Sequence, residues 1–133
     1  MNNEALQKYC HESGIELLVL FGSAARCAVQ PDSDVDIALK MKKGIAVSKL
    51  DLIYNLGQLF DDREIDLVIL SINTDPVLLH EIFAHGKPLF EGKSDIFAEE
   101  RLRAFKLFFD TEKLRLLQAE YLRKYTERLR HVA

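Results

Sequence analysis

Two aspartates, Asp34 and Asp36, stand two positions apart in a stretch, residues 34–41, whose apolar and polar residues alternate as in a strand. Side chains two apart on a strand point to the same face, with Cα atoms about 6.5–7 Å apart. On its own such a pair is more often solvated or part of a turn. Buried together, the two carboxylates would need a cation between them, and their oxygens suit Mg²⁺ or Mn²⁺.

A Gly22-Ser23 pair ends the apolar run 15–21, a short distance before these aspartates. Glycine lets a phosphate approach the backbone closely, and the Ser23 hydroxyl and nearby N–H groups can donate to phosphate oxygens. A lone Gly-Ser pair is a simple turn in most proteins. Its position next to two strand carboxylates favours phosphate binding here.

A third acid, Asp66, lies within residues 65–70, which are otherwise apolar. A lone carboxylate in such a strand is costly unless it is paired or bound to a metal. The alternative is an acid on an edge strand that faces solvent. Taken with Asp34 and Asp36, the pattern favours a metal site formed by three aspartates.

The elements that must position these residues follow the order α-β-β-α-β-α-(β)-α. This order predicts an α/β domain with a small mixed β-sheet flanked by helices and a long C-terminal helix. Val35, Ile37 and Leu39 are expected on one face of their strand. The expected elements are a helix at 3–13 stopped by Gly14, strands at 15–21, 34–41 and 64–70, a helical turn at 24–28, a turn at 31–33, a helix at 45–60, and a helix from Pro76 to 85 capped by Gly86.

Residues 95–131 show one long helical pattern, which would run about 50 Å at 1.5 Å per residue. That length exceeds the diameter of a small domain, so either the helix breaks near Asp110-Thr111 or its end reaches a partner. We expect residues 102–109 to pack on the domain's own core. For residues 116–132, packing on the core and docking on a partner are near equal alternatives. The apolar stripe comprises Leu102, Phe105, Phe109, Leu116, Leu117, Tyr121, Tyr125, Leu129 and Val132.

Composition sets the class of protein. The 133 residues are 48% hydrophobic and suit a single domain, with a core at 1–95 and a helical extension at 96–133 that packs on it or on a partner. Net charge is −3, but residues 101–133 carry nine Lys/Arg against four Asp/Glu. A general nucleic-acid binder would be basic throughout, so no direct nucleic-acid binding is expected. Without a membrane span or signal-peptide core, we expect a cytoplasmic protein.

These motifs resemble a known family. Gly22-Ser23, ten residues and then Asp34-Val35-Asp36 resemble the G-S-x10-D-x-D signature of the DNA polymerase β-like nucleotidyltransferases. The small size is similar to that of the minimal nucleotidyltransferase (MNT) group, and residues 64–68 resemble the strand that bears the third carboxylate. The resemblance covers roughly residues 15–92.

The resemblance implies the nucleotidyltransferase fold and metal-assisted transfer of a nucleotide. Asp34, Asp36 and Asp66 would be the catalytic acids and would hold Mg²⁺ or Mn²⁺. Gly22 and Ser23 would seat the β- and γ-phosphates of ATP. Arg26 would neutralise phosphate charge, with a surface salt bridge as an equal alternative.

The resemblance also implies a partner. MNT proteins are similar to the antitoxins of two-gene modules whose other half is a HEPN-type ribonuclease toxin. By analogy, this chain would transfer AMP from ATP to a tyrosine of that toxin and so neutralise it. Two alternatives remain, which are a small-molecule adenylyltransferase of the aminoglycoside-modifying kind and an antitoxin that acts by binding alone.

Overall fold

The computed structural model describes residues 2–22 and 34–131, which form four helices and four strands. The predicted order of elements is confirmed for these residues, while the turns expected at 24–28 and 31–33 lie outside them. The elements in chain order are α1 (Asn3–Ser13), β1 (Ile15–Phe21), β2 (Val35–Met41), α2 (Lys49–Leu59), β3 (Ile65–Ile69), α3 (Pro76–His85), β4 (Lys87–Glu91) and α4 (Ile96–His131).

The four strands form one mixed sheet in the order β3-β2-β1-β4. Strand β1 runs antiparallel to β2 and β4, whereas β2 and β3 are parallel. The C-terminal end of β1 therefore meets the N-terminal ends of β2 and β3 at one end of the sheet, which we call the site end. The opposite end of the sheet is called the far end.

Helices cover both faces of this sheet. Helices α1 and α2 pack on one face, and Val35, Ile37 and Leu39 project into it, as the alternation along β2 predicted. Helices α3 and α4 pack on the other face, which receives Ala38 of the same strand. The result is the predicted α/β domain, in which a mixed sheet lies between two layers of helices.

Helix α2 begins four residues later than the apolar spacing predicted. The Ser48 hydroxyl accepts a hydrogen bond from the Asp51 N–H at 3.4 Å, which caps the helix at this point. Ile45 and Val47 were assigned to the helix, but they lie in the preceding loop and are partly exposed. Apolar periodicity continues through the loop, whereas the capping side chain determines where the helix starts.

The predicted order included one optional strand before the last helix, and the structure contains this strand as β4. Gly86 ends α3 as predicted, and its N–H donates to the Ile82 carbonyl at 2.8 Å. Pro88 lies within β4, where it cannot donate a backbone hydrogen bond. It is tolerated because β4 is the outermost strand of the sheet, next to β1.

Helix α4 is continuous over 36 residues, so the expected alternative of a break near Asp110-Thr111 is wrong. The Thr111 hydroxyl does not cap a new helix but donates to the Leu107 carbonyl at 2.8 Å, one turn earlier. Beyond Arg115, every described residue of α4 is exposed. None of the helices in the described part of the chain has the length and apolar character needed to cross a membrane.

The part of α4 that contacts the domain agrees only in part with the predicted stripe. Phe105 packs on the core as expected, whereas Leu102 and Phe109 are 73% and 62% exposed. Ala104 is buried in this contact, and the partly buried Phe108 ring stacks on a histidine ring of α3 with centroids 4.0 Å apart. Apolar residues surround this helix on several sides, so spacing alone did not identify the side that meets the sheet.

Burial gives Cys10 of α1 an unreactive thiol, because it raises the pKa of that group to about 12. The thiolate is the reactive form, so we expect Cys10 to resist alkylation at pH 8 in the folded protein. The measurement is intact mass after iodoacetamide treatment of the Cys27→Ser protein, with and without guanidinium. Rapid labelling of the folded protein would show that α1 does not bury this residue.

Candidate active site

Gly22 directly follows β1 and lies beside the start of β2. Phe21, the last residue of β1, is the register partner of Asp36 in the antiparallel strand β2. The backbone at Gly22 therefore leaves the sheet next to Asp36. This placement joins two parts of the sequence motif at the site end.

Asp36 and Asp66 are register partners across the parallel strands β2 and β3. Each lies two residues before an apolar residue, Ala38 or Val68, that packs beneath α3 and α4. Because alternate residues share a face, both carboxylates project on the α3/α4 side of the sheet. Strand pairing thus brings together two acids that lie thirty residues apart in the chain.

Asp34 immediately precedes β2 and is exposed. The N–H of the next residue, Val35, donates to the Glu64 carbonyl at 2.9 Å, so contact between the two parallel segments starts directly after Asp34. The charge of Asp34 contributes to the raised pKa of Asp36. The three aspartates are therefore within electrostatic reach of one another.

The closest contact in this site joins the Gly22 backbone to the Asp36 side chain. A Cβ atom added at Gly22 would overlap Oδ2 of Asp36 and lie 2.9 Å from its Cγ. Gly22 also has a φ of +70°, a left-handed conformation that side-chain-bearing residues rarely adopt. Only glycine satisfies both conditions, which explains why this residue type is needed beside the carboxylate.

The electrostatics of the site centre on Asp36. Its pKa is raised, first because burial removes water from the carboxylate, then because Asp66 repels its charge and forms a hydrogen bond with it, and last because Asp34 adds negative charge. The Asp36 carboxyl is therefore electrostatically coupled to Asp66, its register partner across the two parallel strands.

The repulsion between these two acids provides a test of whether a divalent cation suits the site. A positive charge bound between the two carboxylates would remove their repulsion, and oxygen ligands suit Mg²⁺ and Mn²⁺. Within residues 2–22 and 34–131, however, no three His, Cys, Asp or Glu side chains already converge as a ligand set. The donor chemistry fits a metal, and the assignment of all three aspartates as ligands stays a prediction.

The structure thus brings together four of the six residues selected from the sequence, Gly22, Asp34, Asp36 and Asp66. Ser23 and Arg26 lie outside the described residues, so their phosphate-binding roles stay predictions. What sequence reasoning missed is the direct contact of Gly22 with Asp36 and the electrostatic coupling of Asp36 to Asp66. Both depend on strand register, which cannot be read from a motif whose parts lie far apart in the sequence.

Replacing Asp36 by Asn removes one charge from the cluster while keeping the side chain's shape. Without divalent ions at pH 7, we expect Asp36→Asn to melt at a higher temperature than the unmodified protein, because the change removes the repulsion from Asp66 and Asp34. The folded pKa of Asp36 lies above its unfolded value of about 3.9, so its destabilising effect develops as pH rises through the folded pKa. The difference in melting temperature between Asp36→Asn and the unmodified protein should shrink as pH falls towards 4 in a series of thermal denaturations. A lower melting temperature for Asp36→Asn at pH 7 would contradict the repulsion.

Replacing Gly22 by Ala tests the contact with Asp36. We expect Gly22→Ala to lower the free energy of unfolding by about 1–3 kcal/mol, through backbone strain and displacement of the carboxylate, and to weaken ATP binding. Gly44→Ala is the matched control, since Gly44 has a φ of +84° but nothing within 4 Å of an added Cβ. Chemical denaturation and ATP titration measure both effects. Equal losses in the two variants would mean that the contact with Asp36 has no consequence.

Solved structures with the same fold come from toxin–antitoxin complexes. A chain in a toxin–antitoxin structure with AMP-PNP superposes with a TM-score of 0.73 at 20% identity, covering 92% of this chain and 98% of that chain. A chain in the complex of a tri-AMPylated Shewanella oneidensis HEPN toxin with an MNT antitoxin has a TM-score of 0.66 at 18% identity, with coverage of 90% and 94%. At these identities the likeness establishes the fold.

Sequence comparison gives the family. No curated protein sequence matches this chain. The family model described as polymerase beta, nucleotidyltransferase matches residues 4–95, which is more than half of the chain and includes Gly22 and all three aspartates. With this match and the geometry of the site end together, the chain belongs to the polymerase beta-type nucleotidyltransferase family.

Proposed function

We propose that this chain is a metal-dependent nucleotidyltransferase that acts as an antitoxin. It transfers AMP from ATP to a tyrosine hydroxyl of a HEPN ribonuclease toxin and thereby neutralises the toxin. The observation that carries the proposal is the convergence of Gly22, Asp36 and Asp66 at the site end, with Asp34 beside them. In a nucleotidyltransferase, this arrangement suits the binding of a nucleoside triphosphate with a divalent cation.

In the proposed reaction, the tyrosine oxygen bonds to the α-phosphorus of ATP. The bond from that phosphorus to the α–β bridging oxygen breaks, and pyrophosphate leaves. Asp66 is exposed on β3 beside Asp36, so it is placed to accept the proton that the tyrosine hydroxyl loses. The product is a phosphodiester between the tyrosine and AMP.

The chain's own residues would seat the triphosphate beside the acids. Gly22 has no side chain to obstruct the β- and γ-phosphates, and the motif assigns Ser23 and Arg26 to hydrogen bonding and charge neutralisation there. Asp34, Asp36 and Asp66 would hold Mg²⁺ or Mn²⁺, which in two-metal sites stabilises both the attacking and the leaving oxygen. A bound cation would offset the repulsion between Asp36 and Asp66.

The acceptor and the nucleotide are proposed from the structural relatives. One of them contains AMP-PNP, and another pairs an MNT antitoxin with a tri-AMPylated HEPN toxin. A further structure is of an MntA–HepT variant in which two aspartates two positions apart are replaced by glutamate, the spacing of Asp34 and Asp36 here. We place the reaction in the cytoplasm, where ATP is available, and we infer that AMP silences the toxin by adding bulk and negative charge.

The decisive experiment is intact mass spectrometry of the HEPN protein after incubation with this chain, ATP and Mg²⁺. We expect mass added in AMP-sized steps, and a loss of rate of at least about 100-fold with Asp36→Asn. Asp110→Asn is the matched control, because Asp110 is exposed on α4 away from the site, and it should keep full activity. A folded Asp36→Asn protein with unchanged transfer would refute the proposed role of this acid.

The remaining outcomes distinguish the two rival functions. A toxin that is inhibited but keeps its mass would indicate neutralisation by binding alone. Modification of an aminoglycoside hydroxyl, with no change in the toxin, would indicate a small-molecule adenylyltransferase. Either result would overturn protein AMPylation as the activity.

A further inference from the structure

The second half of α4 presents an apolar surface that no part of the domain within residues 2–22 and 34–131 covers. Five large side chains recur at intervals of three or four residues, so they lie along one side of the helix. Each is between 52% and 68% exposed. We call this surface the distal stripe. It consists of Leu114, Leu117, Tyr121, Tyr125 and Leu129.

The path of α4 places the distal stripe away from the catalytic residues. In its first turn, the Phe97 N–H donates a hydrogen bond at 3.0 Å to the Glu91 carboxylate at the end of β4. Glu100 then forms an ion pair with Lys40 at 2.7 Å. Lys40 lies at the far end of β2, four residues or about 13 Å along the strand from Asp36. Helix α4 therefore crosses the sheet near its far end before it leaves the domain.

A stacked cluster fixes the point from which the helix extends. The Phe108 ring lies between His80 of α3, at 4.0 Å, and the guanidinium of Arg115, also at 4.0 Å. Arg115 also donates to the Phe108 carbonyl at 2.9 Å and to the Thr111 hydroxyl at 2.6 Å. The base of the distal half is thereby held against α3, and the distal stripe starts directly beside this anchor.

The charges beside the distal stripe indicate what kind of molecule covers it. Residues 112–131 contain six Lys/Arg and three Glu. Two of the glutamates already pair within the helix, Glu120 with Lys124 at 3.4 Å and Glu127 with Arg123 at 3.2 Å. The net charge of this half is therefore positive and favours a partner that supplies carboxylates.

The same charges oppose pairing with a second copy of this chain. Each copy would bring a net charge of +3 from residues 112–131, which hold six Lys/Arg and three Glu, and two helices of like net charge repel each other. A helix with an apolar face bordered by Asp or Glu fits the stripe better, and Leu117, Gln118, Tyr121 and Leu122 line a groove of about 410 Å³ on it.

We infer that the distal stripe is the docking surface for the toxin, which contributes an apolar helix face bordered by carboxylates. This inference rests on the proposed function. Since the stripe lies beyond the far end and the acids lie at the site end, binding and AMP transfer use separate parts of the chain. The tyrosine that reaches Asp36 therefore belongs to a different part of the toxin assembly from the docked helix.

The test compares full-length variants that change the same residue type on two sides of α4. In Leu117→Glu/Tyr121→Glu, two carboxylates enter the stripe, and we expect affinity for the unmodified HEPN protein to fall at least about 10-fold in calorimetric titration. Leu116→Glu is the matched control, because Leu116 is 64% exposed but projects from another side of the helix. It should bind within about 2-fold of the unmodified chain. Circular dichroism and ATP titration check that each variant is folded with an intact site.

The outcomes separate docking from catalysis. If Asp36→Asn binds the HEPN protein with unchanged affinity, docking does not depend on the catalytic acids. That result would support the inference even if no AMP transfer were found with any protein. Equal losses for Leu116→Glu and the double variant would overturn the assignment to this side of α4. A chain that is dimeric alone and becomes monomeric in the double variant would show that a second copy, not the toxin, covers the stripe.

Discussion

The repulsion between the Asp36 and Asp66 carboxylates is the constraint on which the site depends. Parallel pairing of β2 and β3 places the two acids side by side, and burial makes the charge on Asp36 more costly still. The packed layers on both sides of the sheet supply the burial of apolar surface that offsets this cost. The protein thus carries a destabilised pair of acids that a proton or a cation relieves.

Where the spacing is local, sequence patterns selected residues that the structure also places together. Asp34, Asp36 and Gly22 could be identified because strand alternation and backbone freedom act over a few residues. The residue Asp66 could be suspected as an acid in an apolar run, but its contact with Asp36 depends on strand order and register, which local patterns do not encode. Gly22 was expected to favour phosphate, whereas the structure shows that it also makes room for a carboxylate.

The errors in the predicted helices have a common physical origin. Apolar residues at helical spacing continued past the true start of α2, where the Ser48 cap marks the boundary. In α4, the Asp110-Thr111 pair resembled a new start, but the Thr111 hydroxyl bonds back to the preceding turn. In both cases, hydrogen bonds of one side chain decided the outcome, and apolar periodicity carries no information about them.

The second half of α4, which lacks tertiary packing within the described residues, has a consequence for how the chain is degraded in the cell. Beyond the Phe108 and Arg115 anchor, the helix has no tertiary packing within the described residues and keeps its shape by hydrogen bonds and ion pairs within the helix. Short helical segments without such packing open readily, so this half should be the first to fray and the first to be cut by proteases. A chain without a partner would then lose its docking surface while its nucleotide site stayed folded. A partner bound to the distal stripe would protect this half, so binding would determine how long the intact chain survives.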